Sequence, residues 1–297
     1  MLFPNKNIEQ KRADLRSALV SGRLLRFPGA FSPIVSMLIE KMDFEGVYVS
    51  GAVLAADLGL PDIGLTTLIE VAARGRAIAR VTSLPTIIDM DTGFGEILNV
   101  VRTIQELEEM GLCGAHIEDQ LNPKRCGHLD NKILVDKHSM VQKIQAAVCA
   151  KSDPNFIIIA RTDACAVEGL DKAIDRAKSY VDAGADVIFP EALNNLKDFE
   201  RFRKEIAIPL MANMTEFGKS ELLEYSQLQN VGYNIVIYPV TAFRLALKAV
   251  EEGLSILDET GTQVDVLDRM QHRKELYELL RYKDYNRFDK DIYNFDL

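Results

Sequence analysis

The chain has 297 residues, 47% of them hydrophobic and 27% charged, an ordinary globular composition that excludes a disordered tail, a collagen-like fibre and a small disulfide scaffold. Its formal charge of −9 arises from 44 acidic and 35 basic residues, interspersed rather than in blocks, which argues against nucleic acid or an anionic membrane as the main partner. Any anionic substrate must then be held by local cations. The longest apolar runs, such as 156–160, fall far short of the roughly 20 residues of a membrane span, and MLFPNKNIEQ has no apolar core of signal-peptide length. With no polar linker in the middle, the expectation is one soluble, cytoplasmic domain over 1–297.

Eight short apolar, β-branched runs follow one another at 23–27, 46–50, 86–91, 115–118, 156–162, 186–190, 209–213 and 234–238. Between them the spacing predicts helices over 33–42, 66–81, 95–110, 137–150, 168–183, 195–205, 218–229 and 241–253. Thr66 and Ser139 suit helix caps or first turns, and Ala-Gly-Ala at 183–185 reads as a helix stop followed at once by a strand. Strands that are continuously apolar bury both faces. Eight such units predict a (β/α)8 barrel. An open doubly wound sheet fits less well, because FPGAF at 27–31 is not a GxGxxG turn. Residues 254–297 contain no further strand run, while Leu276, Leu279 and Leu280 recur at helical spacing. The expectation there is a C-terminal helical extension packing on the barrel or on another subunit.

Nearly every run ends in polar residues: Ser50, Asp89 and Asp91, Glu118, Arg161, Glu191, Asn213. In a parallel barrel these converge at the C-terminal mouth, where such folds place their chemistry. Asp89 and Asp91 stand two apart, so their side chains point to one side, and adjacent carboxylates repel unless a cation or proton lies between them. Oxygen ligands favour Mg2+ or Mn2+ over zinc. Capping aspartates are the plain alternative, and Glu118-Asp119 at the next strand end tips the reading to metal. Arg161 and Arg244 suit bidentate capture of substrate carboxylates, although a structural arginine in such a place pairs with a neighbouring carboxylate; Asn213 and Thr215 add neutral hydrogen bonds. No lysine stands at a strand end, which disfavours a Schiff-base aldolase.

The four cysteines form no CxxC motif. Cys113, Cys149 and Cys165 read as packing residues. Cys126 sits in LNPKRCGHLDNK beside Lys124, Arg125 and His128, and cationic neighbours bring a thiol pKa down towards working pH. His116 reads as a strand residue, His138 and His272 have no evident partner, and all three read as structural.

SGAVLAADLGLPD, IIDMDTGFG, HIEDQ, KRCGHLDNK, ARTDA, FPEA, NMTEFG and YPVTAFR resemble, in order, the motifs of the isocitrate lyase and phosphoenolpyruvate mutase superfamily. KRCGH and the compact length resemble the branch that cleaves (2S,3R)-2-methylisocitrate, a tricarboxylate, to pyruvate and succinate in propionate breakdown through the methylcitrate cycle. The resemblance implies Asp89 and Asp91 as Mg2+ ligands, with Glu118 reaching the ion mainly through water. It implies Ser50, Gly51, Ala52, Cys126, Gly127, Arg161, Glu191, Asn213, Thr215, Arg244 and Arg273 around the substrate, and Tyr48, Asp62 and His128 in support. Cys126 is the expected acid for the succinate carbanion and Tyr48 the candidate base for the hydroxyl. A barrel that exchanges its eighth helix between subunits and assembles as a homotetramer is likewise implied. Isocitrate lyase or oxaloacetate decarboxylase chemistry, and a catalytically silent metabolite-binding barrel, are the competing expectations.

Overall fold

The computed structural model describes residues 5–292. Eight parallel strands follow in chain order: β1 (Leu25–Pro28), β2 (Val47–Val49), β3 (Thr86–Asp89), β4 (Gly114–Glu118), β5 (Ile157–Thr162), β6 (Val187–Pro190), β7 (Met211–Asn213) and β8 (Ile235–Tyr238). They pair as β2-β3-β4-β5-β6 and as β1-β8-β7. Parallel bridges from Gly29 to Tyr48 and from Ile188 to Leu210 join the two arcs into a ring. All eight predicted runs are strands, within about two residues at each end in the usual way of such boundaries, and the ring is the expected (β/α)8 barrel.

The helices are α1 (Ile8–Leu19), α2 (Pro33–Lys41), α3 (Gly51–Asp57), α4 (Leu68–Ala79), α5 (Ile97–Glu109), α6 (Lys137–Ala150), α7 (Ala164–Glu168), α8 (Leu170–Asp182), α9 (Leu196–Glu205), α10 (Tyr225–Val231), α11 (Thr241–Thr260), α12 (Arg273–Leu279) and α13 (Tyr282–Ile292). Three of them escape the sequence reading. α1 places Leu15 and Leu19 in the same cluster as the strands' inward residues. α3 and α7 are short turns of helix inside strand-to-helix loops. The predicted helix over 218–229 begins only at Tyr225, because Glu224 and Gln227 form a capping box there and the Lys219 N–H is donated to His128 instead. Thr66 is not a cap. Thr67 caps α4, exchanging hydrogen bonds with Glu70, and Thr66 donates to Asp91.

Two clusters divide the core. Phe27, Tyr48, Ile87, Ile157, Ile159, Val187, Phe189, Met211, Ile235 and Ile237 fill the barrel interior. Outward residues such as Val47, Ile88, Ile117, Ile158 and Ile188 pack with the helices. The period-two alternation of strands carries the inward register straight into the site: Ile87 to Asp89, Ile159 to Arg161, Phe189 to Glu191, Met211 to Asn213. The residues that fill the barrel and those that line its mouth are thus successive members of the same rows.

The carboxyl-terminal part is different. α11 runs to Thr260, seven residues past its predicted end, before Gly261 closes it at φ +68°, a backbone setting that glycine adopts without strain. No residue of α11 is buried, nor is any of α12 or α13. The expected extension reaches 297, and 293–297, like 1–4, lie outside the described residues. Among the described residues no helix is long and apolar enough to cross a membrane.

Candidate active site

Asp89 ends β3, and Asp91 follows at φ +48°, a left-handed setting that aspartate tolerates better than most residues. The Asp91 N–H donates to Asp89 Oδ1 at 2.9 Å, which holds both carboxylates on one side. Gly51, the first residue of α3, packs against them. A Cβ there would lie 2.8 Å from Asp89 Oδ2 and 3.2 Å from Asp91 Oδ1, so only glycine lets the helix approach this closely. Against the burial that would raise it, His116, Lys124 and Arg161 keep Asp89 below the usual carboxylate range. Burial, with Asp89 beside it, lifts Asp91 to about 6. Glu118 is buried with Oε1 unpartnered and Oε2 3.2 Å from Arg161 Nη1, and Asp91 Oδ1 is met by the Lys124 ammonium at 2.8 Å. Burial pushes Glu118 well above its ordinary value.

A divalent ion fits this donor set. Three buried carboxylates at one mouth, with Glu118 Oε1 unpartnered and a cradle at Gly51 that a methyl group would fill, are what a hard cation would use. Among the described residues no three His, Cys, Asp or Glu side chains are arranged to hold a metal ion by themselves. Mg2+ characteristically takes one or two carboxylates and keeps several waters, so three protein ligands are not required of such a site.

Arg161 is the mouth's best-anchored cation. Its Nε and Nη2 meet Asp163 at 3.0 and 3.1 Å, Nη1 lies 3.2 Å from Glu118, and the guanidinium stands over Phe189 at 5.3 Å. Asp163 also receives the Lys132 ammonium at 2.9 Å, and Lys132 donates to the Gly127 carbonyl. The loop carrying Cys126 is thereby tied to the same carboxylate that orients Arg161. Gly127 lies against Arg161 and Glu191 so closely that any Cβ would collide with both.

Glu191 is held down to about 2 because, against burial, Arg161 and His128 surround it. His128 Nδ1 accepts the Lys219 N–H at 2.9 Å, so Nε2 carries the proton that faces Glu191 Oε1 at 2.6 Å. Asn213 Nδ2 donates to the same oxygen at 3.1 Å. Thr215 is buried beside this group, next to Gly218. Ser50 caps α3, with Gly51 and Ala52 in the first turn.

Several expectations need correction. His116 is the β4 residue expected, and it is fully buried with two partners that were not expected, Nε2 lying 2.8 Å from Tyr48 Oη and Nδ1 3.6 Å from Asp89. An inward position one pleat before Glu118 was the available signal. Cys126 does not have a lowered pKa. Burial raises the thiol above its ordinary value, because Lys124 is engaged by Asp62 and Asp91 and Arg125 is exposed. No strand ends in lysine, yet Lys124 and Lys132 both reach the mouth from the loop after β4. Cys149 is exposed rather than packed. Arg244 and Arg273 are not brought into the cluster. Arg244 is exposed at the start of α11, stacked 5.1 Å over Phe217, and Arg273 opens α12, lining a surface pocket with Tyr277 and Tyr282.

The family profile described as phosphoenolpyruvate phosphomutase matches residues 15–257, which contain every group of the mouth just described. The chain belongs to the phosphoenolpyruvate mutase/isocitrate lyase superfamily. Within it, the chain is 58% identical over 286 residues to the probable 2-methylisocitrate lyase 2 of Corynebacterium glutamicum, covering 96% of this chain and 93% of that one. Among superfamily structures, 2,3-dimethylmalate lyase superposes with a TM-score of 0.89 at 30% identity, covering 97% of this chain and 96% of the other. Phosphonopyruvate hydrolase, crystallised with oxalate and Mg2+, gives 0.87 at 31%, covering 98% and 100%.

Proposed function

We propose that this chain is a Mg2+-dependent carbon–carbon lyase, with Mn2+ as a substitute, that cleaves (2S,3R)-2-methylisocitrate to pyruvate and succinate. The observation that carries the reading is the meeting, at one mouth, of the Asp89/Asp91 pair, the fixed guanidinium of Arg161 and the half-buried thiol of Cys126. The name of the Corynebacterium relative supports the choice of substrate.

Asp89 and Asp91 would hold the ion, with Glu118 acting through water. When bound, it supplies Lewis acidity towards the substrate's hydroxyl and carboxylate oxygens. Burial lifts the Tyr48 hydroxyl well above its ordinary value, so Tyr48 keeps its proton near neutrality. To accept the proton of the C2 hydroxyl it must hand its own to His116 Nε2, 2.8 Å away. Burial holds His116 down at about 4, so the ring is neutral, and in the tautomer with the proton on Nδ1, towards Asp89, Nε2 is the acceptor. Breaking the C2–C3 bond turns C2 into the pyruvate carbonyl and leaves the electron pair on C3, where the Cys126 thiol delivers the proton that completes succinate. A general acid must start protonated, and the raised thiol meets that condition.

Arg161 takes a substrate carboxylate, held in one orientation by Asp163. Glu191 stays ionised to orient His128 and the Asn213 amide. Ser50, Gly51, Ala52, Gly127 and Thr215 complete the substrate set, with Asp62 in support through Lys124; Arg244 and Arg273, which lie outside the cluster, would join it only with the subunit exchange described next.

The same reading takes 1–297 as one barrel unit in the cytoplasm, with 254–297 as its helical extension and α11 exchanged between subunits of a homotetramer. What supports the exchange is α11 itself. Leu247, Val250, Leu254 and Leu257 recur on one stripe and are 53%, 56%, 60% and 43% exposed, an apolar face of the kind that partners cover.

A pyruvate-release assay with 2-methylisocitrate, isocitrate and oxaloacetate in parallel tests the reading. Pyruvate from 2-methylisocitrate with little glyoxylate from isocitrate is expected. The reverse preference, or no turnover of any of the three, overturns it.

A further inference from the structure

Asp119 follows Glu118 at the end of β4, and its carboxylate turns away from the mouth into a fully buried set of donors. Oδ1 accepts the Asp163 N–H at 2.8 Å. Oδ2 accepts the Thr162 hydroxyl at 2.7 Å and the hydroxyl of Tyr180, on α8, at 2.8 Å, with Arg176 Nη1 3.6 Å away. The Asp119 carbonyl accepts the Val135 N–H at 2.9 Å, and Arg176 donates to the Val135 carbonyl at 2.9 Å. Neighbouring residues of an extended chain face opposite ways, so the two acidic groups of Glu118-Asp119 part company. Glu118 lines the mouth, and Asp119 joins the helical layer behind it.

We propose that Asp119 is a positioning residue for the substrate's carboxylate: by fixing Thr162 and Asp163 it sets the aim of Arg161. The inference rests on the role given to Arg161 above. Its transmission is short. Asp163 meets Arg161 Nε and Nη2 at 3.0 and 3.1 Å, a fork that passes on orientation as well as charge. Where Asp163 stands is decided by its main chain, and both the Asp163 N–H and the Thr162 hydroxyl end on Asp119. Any drift there is carried to the guanidinium, and a misplacement of about 1 Å at a group that positions substrate can cost about 10²-fold. The anchor itself is held from three sides, by β5, by α8 and by the chain entering α6, and a satisfied buried network rigidifies what it holds. An asparagine at 119 would keep an oxygen for the Asp163 N–H but present an amide N–H2 to Thr162, Tyr180 and Arg176. The two hydroxyls can rotate to accept from it; the guanidinium cannot. Arg176 retains its fork on Glu168, at 2.8 Å to each oxygen, so the exchange loosens the network without stranding that cation.

Asp119→Asn in the full chain should raise KM for 2-methylisocitrate about tenfold and leave kcat within about threefold, the mark of lost binding rather than lost chemistry. Oxalate, titrated calorimetrically with Mg2+ present, should weaken by a similar factor. A double-mutant cycle with Arg161→Lys shows how the effect travels: placed on top of Arg161→Lys, Asp119→Asn should cost less than about twofold more in either readout. Tyr180→Phe keeps the ring on α8 and removes one donor, so KM should rise about threefold, the worth of one modest hydrogen bond, and again add nothing to Arg161→Lys. It carries the test by itself if Asp119→Asn does not fold. Effects that multiply in the cycle, or a variant with parental KM and oxalate affinity that merely melts earlier, overturn positioning and make Asp119 a packing residue. If the unaltered chain turns over no 2-methylisocitrate, the substrate reading falls and the oxalate cycle alone judges Asp119. Failure of the unaltered chain to bind oxalate at millimolar concentration removes the carboxylate role of Arg161 and this inference together.

Discussion

Tyr48 Oη and His116 Nε2 are 2.8 Å apart inside the barrel, their rings nearly parallel at 10°, and Asp89 on the intervening strand stands 3.6 Å from the other ring nitrogen. Three consecutive strands thus supply a buried chain from hydroxyl to imidazole to carboxylate. If Tyr48 moves the hydroxyl proton, Tyr48→Phe removes that step while keeping the ring and its packing. The expected fall in kcat is roughly 10²–10⁴-fold, the usual worth of general acid–base catalysis, with little change in substrate Kd. Steady-state kinetics beside a direct binding titration checks the split, and a phenylalanine variant of near normal kcat removes Tyr48 from the proton path.

How far the sequence carries depends on which force sets each feature. Eight apolar runs mark the strands because burial of both faces leaves no room for alternation, and the polar ends of those runs locate the mouth because they continue the inward rows. Asp89, Arg161 and Glu191 were legible for that reason. Pairing was not. Nothing in KRCGH shows that Lys124 will be consumed by Asp62 and Asp91, which reverses the expected direction for Cys126. His116 looked inert because its partners, Tyr48 and Asp89, are distant in sequence. Arg244 ends the YPVTAFR motif and Arg273 was implied by the resemblance, yet both lie on helices that bury no residue and stand outside the cluster.

Asp163 should matter to stability as well as to substrate. Buried among Arg161 and Lys132, it compensates two cations that would otherwise sit in low dielectric. Asp163→Asn keeps the shape and removes the charge. Losing one partner of a buried ion pair destabilises by about 3–5 kcal/mol, and Glu118 and Glu191 near Arg161 place the expected loss at the lower end. Urea unfolding of both proteins measures it; a loss under about 1 kcal/mol shows that the neighbouring carboxylates suffice.

Metal dependence gives a matched pair of expectations. Exhaustive chelation should abolish turnover and Mg2+ restore it, with Asp91→Ala beyond rescue at ordinary Mg2+ concentrations. Gly51→Ala tests the cradle more finely. Its methyl group would press on Asp89 Oδ2 at 2.8 Å, so the Mg2+ concentration for half activation should rise about tenfold, the effect of a shift near 1.4 kcal/mol in ion binding. Full activity after chelation makes the aspartates structural.

The exposed stripe of α11 predicts an assembly. Sedimentation at micromolar concentration should give a mass near four times 33.2 kDa. Placing charge in the middle of the stripe, with Val250→Asp and Leu254→Asp together, should yield smaller species while the barrel's far-ultraviolet dichroism persists, because both side chains are exposed. An active monomer in the unaltered chain removes helix exchange.

The final expectation separates a lyase from a binder and rests on the direction of the Cys126 shift. Burial raises this thiol, so its protonated form predominates at neutral pH. The acid function is present below the raised value and is lost as pH climbs through it, so kcat should carry an alkaline limb above the ordinary thiol range. Alkylation by iodoacetamide needs the thiolate; it should be slow at pH 7, quicken about tenfold per pH unit and slow again when substrate and Mg2+ are bound. Cys126→Ser keeps the size and a hydroxyl donor but is a much weaker acid. Because proton transfer is partial in the transition state, kcat should fall roughly 10²–10⁴-fold, with substrate Kd little changed, and the alkaline limb should vanish with the thiol. A serine variant with near normal kcat, or a limb that persists in it, takes the proton donor's role away from Cys126.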